Sequence, residues 1–178
     1  MKATLLFVFL CSGIFAVKAQ QYKPVDDKSE IKFVIKNFGL NTNGDLKGLK
    51  GAIKFDSQNL SSSAFNVSVD VNTINTGIDS RDSHLKKEEY FDAGRYPTIS
   101  FVSTAITKTG NDYTVSGHLI IKGVDRTISF PFTVESNGDA LVFSASFSID
   151  RKDFNVGGSS AVLSNTVNVN LKVFAVKG

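Results

Sequence analysis

The feature that most limits what this chain can become is its period of two. Phe65, Val67, Val69 and Val71 alternate with Asn66, Ser68, Asp70 and Asn72. Ile128, Phe130, Phe132 and Val134 do the same around Ser129, Pro131 and Thr133. The rhythm returns in Leu141–Ile149 and in Val167–Val173. Successive side chains of a strand point to opposite faces, so each stretch has one dry face and one wet face. That is the pattern of antiparallel sheet covered on one side only. Helical periodicity is nearly absent. Less regular strands are expected at about Glu30–Phe38, Leu46–Asp56, Thr98–Thr107 and Tyr113–Ile121.

The punctuation agrees with this reading. Thr109-Gly110-Asn111-Asp112, Lys122-Gly123-Val124-Asp125 and Ser136-Asn137-Gly138-Asp139 each separate two strands. Asn-Gly between alternating runs is a strong tight-hairpin signal. The strands from Thr98 to Asp150 therefore form a meander of four neighbours. About eight strands in one chain of this length point to a barrel or a sandwich. Pro131 stands inside a strand, where it cannot donate to the ladder. A local bulge or a weakly closed seam is expected there.

Two segments break the rhythm. Residues 73–97 are long and polar, with a short helix expected near Arg81–Tyr90. Asp79 or Ser80 is the expected cap, and Asp82 stands four residues before Lys86. Residues 150–165, with Gly157-Gly158-Ser159-Ser160, read as a second and loose connection. Long connections on a regular scaffold are commonly functional.

The N-terminus reads as a targeting segment. Met1-Lys2 is followed by a nearly continuous apolar run to Val17, then by Val17-Lys18-Ala19 with suitable residues for cleavage before Gln20. The run is short for a membrane anchor. Cys11 raises a lipoprotein reading, but Leu10 stands before it where a small residue is wanted. Residues 1–19 are thus read as a signal peptide, and 20–178 as a single domain exported from the cytoplasm. It would be periplasmic in a host with two membranes. Removing Lys2 and Lys18 takes the net charge from +3 to +1 and removes the single cysteine. The remainder has no disulfide and rests on its hydrophobic core, which its size allows. Near-neutral charge with scattered lysines makes no case for nucleic acid, and no second apolar segment approaches spanning length, so no stable membrane insertion is expected.

Polar residues of catalytic type cluster at Ser80–Tyr90, but their spacing argues against chemistry. Outside residues 1–19 there are two histidines, His84 and His118, and no His-x-x-x-His pair for a metal. Asp79, Asp82 and His84 offer only a mixed cation set. No Gly-x-Ser-x-Gly elbow is present. Ser116 and His118 would share one face of a strand, without a placed acid or oxyanion hole. Glu88 and Glu89 are adjacent on the expected helix and point apart, unlike a glycosidase pair. A structured cap at one end of the sheet remains the reading of this cluster.

At this point the chain resembles the YceI-like family of secreted lipid- or polyisoprenoid-binding proteins. The resemblance runs from about Tyr22 to Val176. It is carried by "DDKSEIKFVIKNFG", "RDSHL", "YFDAGRYPTISFVST", "YTVSGHLIIKGVDRTISFPF" and "IDRKDFNVG". The most specific block sets Asp92, Tyr96, Pro97, Ile99 and Phe101 in order. The family often shows a histidine beside a serine before the first strand. Lys28-Ser29 stands there instead, so no role passes to a histidine.

The resemblance implies an all-β, extended eight-stranded antiparallel β-barrel, lipocalin-like, with one short helix in a long loop. It also implies a long apolar pore, a bound polyisoprenoid, quinone or other long-chain lipid, no other cofactor, and no catalysis. Pairing of two chains is left open.

The dry faces nominate the pore lining: Phe33, Ile35, Phe65, Val67, Val69, Ile99, Phe101, Leu119, Phe130, Phe132, Phe143, Phe147, Val169 and Leu171. Gly117, Ala145 and Ala175 in the same inward series would leave gaps beside the rings. Arg81, His84, Tyr90, Phe91 and Tyr96 are the rim or head-group candidates. Alternation reports burial and not emptiness, so a packed core is the alternative from the residues alone. It would make the chain an interaction module working through its loops.

Overall fold

A computed structural model describes residues 20–178. The expected signal peptide, residues 1–19, lies outside the described residues. The strands are β1 (Gln20–Pro24), β2 (Glu30–Asn37), β3 (Leu40–Phe55), β4 (Ala64–Asn75), β5 (Thr98–Thr109), β6 (Asp112–Ile121), β7 (Val124–Asn137), β8 (Ala140–Asp150) and β9 (Leu163–Lys177). Helix α1 spans Asp79–Leu85. All pairings are antiparallel, and β3 pairs with β4 to close the sheet into a barrel.

The barrel has eight wall positions, one of them built from two strands. β1 pairs with β3 through Gln20–Tyr22 and with β9 through Tyr22–Pro24. β2 occupies the same gap further along, between Leu46–Leu40 and Lys172–Leu163. A 3-10 turn at Asp26–Lys28 joins the two. β1 was not foreseen, because Gln-Gln-Tyr-Lys-Pro offers only Tyr22 as a large inward side chain.

β3 begins six residues before the expected Leu46. Asn41–Asp45 reads as loop but pairs in register with Lys36–Lys32. Further along, a bulge at Lys47–Lys50 puts both Leu46 and Leu49 inside, which interrupts the alternation. The Asp26 carboxylate accepts the Leu49 N–H at 2.8 Å beside this bulge.

The two ends of the barrel differ. At the end holding β1 and the β5–β6 and β7–β8 hairpins, aromatic rings fill the interior. Phe55 meets Phe143 and Tyr113 edge-on at 5.5 Å, and Phe65 meets Phe132 and Phe143 in the same way. The opposite end receives the two long connections. On the outer wall, Ser146 donates to Asn170 at 2.8 Å and Ser148 to Asn168 at 2.7 Å, a polar ladder facing water.

Two expectations about gaps and strain are revised. Gly117 leaves no gap, because a Cβ there would stand 2.7 Å from Phe101 Cζ and 2.4 Å from the Val102 carbonyl. The Phe101 ring takes that space. Gly44 does the same for Phe33, whose Cζ lies 2.2 Å from the missing Cβ. Ala175 is fully buried in the aromatic end. Pro131 produces no bulge, since β6–β7 pairing runs unbroken past it. It does mark a seam. β7 pairs with β8 only from Phe132 to Asn137, and Val124–Pro131 bonds to β6 alone. Phe130 and Phe147, stacked at 4.2 Å, bridge this seam from inside.

The β2–β3 hairpin turns on Phe38 and Gly39, both at positive φ (50° and 76°). Such two-residue turns favour Asn-Gly, and Phe38 is 74% exposed with nothing gained from burial. Phe38→Asn is therefore expected to stabilise the fold by about 0.5–1 kcal/mol, measured by urea unfolding.

Candidate functional site

Between the aromatic floor and the loop-capped end lies a cavity of about 510 Å³. Its size falls within the usual range for ligand pockets. All fourteen residues nominated as pore lining stand on its wall. Ile53, Phe65, Phe132 and Phe143 form the floor side, where the cavity meets the packed aromatic end. The packed-core expectation thus describes one end of the barrel and not the whole.

Segment 76–97 forms one lip. α1 begins after Ile78, and no side chain caps it, so neither Asp79 nor Ser80 serves as the expected cap. The helix ends at Leu85, short of the expected Tyr90. Asp82 does not pair with Lys86. It turns inward, is 8% exposed, and accepts both the backbone N–H (2.9 Å) and the hydroxyl of Thr76. This ties the end of β4 back onto α1. Leu85 and Phe91 pack over Leu46, Leu49, Val69 and Ile74, fixing the lip to the barrel.

Of the five rim candidates, Arg81, His84, Tyr90 and Phe91 line the cavity, and Tyr96 does not. Tyr96 lies against Gly123 in the β6–β7 turn, its Cε1 2.5 Å from where a Cβ would stand. Arg81 pairs with neither Asp79 nor Asp82. Its Nε donates to Thr76 Oγ1 at 2.7 Å and its Nη2 to the Thr76 carbonyl at 2.8 Å. His84 Nε2 lies 2.8 Å from Glu89 Oε1, and the ring meets Tyr90 edge-on at 5.1 Å. The Glu89 carboxyl is held below its usual range, first by its own backbone N–H and then by His84. Glu89 therefore favours the folded lip at neutral pH, and that contribution is lost as pH falls through its lowered folded value.

Segment 151–162 forms the other lip. Its first half is not loose. Phe154 is 1% exposed and packs with Leu119, Ile121 and Val156. Arg151 is 4% exposed and was not foreseen as a wall residue. Its Nε donates to the Ser164 carbonyl (2.9 Å) and its Nη1 to the carbonyls of Val156 (2.8 Å) and Gly158 (3.0 Å). No periodic pattern flags Arg151, because it lies in the 3-10 turn Arg151–Phe154 that leaves β8. The two lips meet where Gly157 N–H donates to the Glu89 carbonyl at 2.9 Å.

The Ser116–His118 pair weighed from the sequence is not made. His118 Nδ1 lies 3.0 Å from Asp125 Oδ1, but Ser116 bonds to Ser129 at 3.0 Å instead of to His118. Among the described residues no three His, Cys, Asp or Glu side chains gather to hold a metal. No helix of the described residues is long and apolar enough to cross a membrane.

The YceI-like domain model matches residues 22–175. The chain belongs to the YceI-like family. Protein YceI of Salmonella arizonae is 28% identical over 190 residues, covering 99% of both chains. A UPF0312 protein of Pectobacterium carotovorum is 30% identical over 155 residues, covering 83% of this chain and 79% of that one. Among solved structures, Burkholderia cenocepacia BcnA aligns with a TM-score of 0.80 at 30% identity, over 84% of this chain and 98% of BcnA. A polyisoprenoid-binding domain from Saccharophagus degradans, implicated in plant cell wall breakdown, shares the fold. Its TM-score is 0.71 at 19% identity, over 88% of this chain and 98% of that domain. The closed antiparallel barrel foreseen for this YceI-like chain is the fold of these relatives.

Proposed function

We propose that this YceI-like protein is a non-enzymatic carrier or reservoir for one long apolar chain, a polyisoprenoid or similar lipid. The carrying observation is the 510 Å³ cavity with its wall of Phe, Ile, Leu and Val. It is closed below by aromatic rings and framed above by two lips. Burying a methylene-equivalent is worth about 0.8 kcal/mol, so a five-carbon isoprene unit contributes roughly 3–4 kcal/mol gross. Association and chain ordering cost several kcal/mol. Three or four buried units therefore leave binding in the micromolar range or tighter, about 8 kcal/mol net. The polyisoprenoid-binding neighbour from Saccharophagus degradans agrees with this reading at the level of fold.

The protein works outside the cytoplasm in this reading, after loss of residues 1–19, and in the periplasm of a host with two membranes. Cell fractionation with N-terminal sequencing checks it, with Gln20 as the expected first residue. The ligand is sought in a solvent extract of the purified protein by native and denaturing mass spectrometry. A stoichiometric lipid or isoprenoid is expected. An empty protein that also takes up no added prenyl chain would end the carrier reading.

A further inference from the structure

The cavity wall is mostly apolar, and the acidic or basic side chains on it are all basic. No Asp or Glu side chain stands on it, while Lys32, Arg81, His84 and Arg151 do. Lys32 turns its charge to the outer face, where its side chain is 58% exposed and its ammonium pairs with Glu30 at 2.7 Å. Arg81, His84 and Arg151 remain, all on the two lips.

His84 and Arg151 are linked through Tyr90 and Gly157, and Arg81 stands three residues before His84 on α1, one turn away. A Cβ on Gly157 would lie 2.9 Å from Tyr90 Cε1 and 3.0 Å from Arg151 Nη1. Tyr90 in turn contacts His84. The arrangement is therefore a short arc on the lips.

Arg151 is a buried guanidinium without a carboxylate. Its contacts are four carbonyls and the Asn165 side-chain oxygen, at 2.8 to 3.5 Å. Its N–H groups are occupied, yet no opposite charge meets it among the described residues. A buried cation without a counter-ion leaves a positive potential in a low-dielectric wall.

Arg81 supplies the open donors. Its Nε and one Nη2 bond go to Thr76, and both Nη1 N–H groups lack a protein acceptor among the described residues. Two acids of this lip have partners of their own. Asp82 holds Thr76 and Glu89 holds His84, and neither carboxylate stands on the cavity wall.

From this geometry we infer that the ligand's head group is an anion, a carboxylate or phosphate, bound by Arg81 Nη1 within the positive field of Arg151. The inference rests on the carrier reading and narrows it, since an apolar wall alone would accept a neutral quinone or amide equally. A guanidinium suits such oxygens because its planar fork donates two parallel hydrogen bonds. A neutral head would leave the Arg81 Nη1 donors without a charged acceptor.

The test uses the delipidated protein and three probes with one chain: hexadecanoate, hexadecyl phosphate and hexadecanamide. Dissociation constants come from displacement of a fluorescent fatty chain, in buffer where both acids are ionised. Charge-assisted hydrogen bonds predict that at least one anion binds about ten-fold tighter than the amide, or more. Tight binding of both anions points to general anion recognition, and of one alone to that head group.

In Arg81→Met the anion-to-amide ratio is expected to fall toward one, and in Arg81→Lys, which keeps the charge but not the fork, to fall between the wild-type and Arg81→Met values. Equal or tighter binding of the amide by the wild-type protein overturns the inference and leaves the carrier reading standing. Binding of none of the three probes removes the carrier reading itself. A ratio unchanged in a folded Arg81→Met protein, checked by its melting temperature, overturns the assignment to Arg81. Should that variant fail to fold, the wild-type ratio still decides the head-group charge.

Discussion

Val169→Trp is expected to weaken uptake of a long chain by at least about 100-fold while the barrel stays folded. Val169 sits mid-wall, paired with Phe33 on β2 and Phe147 on β8, and its side chain stands on the cavity. An indole there projects into open space instead of a filled core. The usual overpacking cost of about 1–3 kcal/mol is therefore at its low end. The ligand, however, loses the room below. Excluding even one isoprene unit forfeits roughly 3–4 kcal/mol of burial, which corresponds to several hundred-fold in affinity. Titration of the delipidated protein with a fluorescent long-chain probe reads the effect. Val176→Trp, on an exposed position of β9, serves as the comparison and is expected to bind as the wild type does. Wild-type affinity in Val169→Trp would mean the chain does not enter the cavity.

The second large effect is on stability. Phe154→Ala is expected to cost about 3–5 kcal/mol, the usual range for truncating a fully buried phenylalanine. Phe154 is among the most deeply buried side chains of the described residues. It touches β6 through Leu119 and Ile121, and the partly buried Ile128 and Ile149 of β7 and β8 pack against the same cluster. Those last two strands are the ones that part beyond Pro131. Phe154 thus closes the end of the seam that backbone hydrogen bonds leave open. For a domain of this size the melting temperature should fall by about 10 °C, at roughly 2–4 °C per kcal/mol. Limited proteolysis should then cut first within residues 151–162. A loss under about 1 kcal/mol would show that the lip is not integrated into the core.

Much of the barrel was legible because burial on one face writes a period of two into the sequence. Where that condition holds, as in β4 and β7, the strands fall where the alternation puts them. Where it fails, the reading fails too. Asn41–Asp45 carries mostly polar side chains on both faces near the mouth, so the pattern had nothing to report, and only pairing with β2 makes it a strand. At Lys47–Lys50 a bulge shifts which residues point inward, which no fixed period can follow. The lips were located by their polarity, but their contacts were not. Arg81 was named a head-group candidate, but nothing in the sequence said that Thr76 would hold one side of its guanidinium, nor that Asp82 would turn inward onto the same Thr76. Tyr96 was named a rim candidate; it packs on Gly123, a neighbour 27 positions away in the chain, and not on the cavity wall.

By itself the sequence determined which side chains face inward wherever a strand keeps its alternation unbroken. A single buried face constrains every second residue, and that constraint is local. The tertiary structure alone decided how much of the interior is filled. Phe33 and Phe101 fold down over Gly44 and Gly117, while Phe55, Phe65, Phe132 and Phe143 close one end. Whether inward rings meet or leave a cavity depends on the distance across the barrel. That distance is set by how all eight wall positions close together, so no single strand carries it.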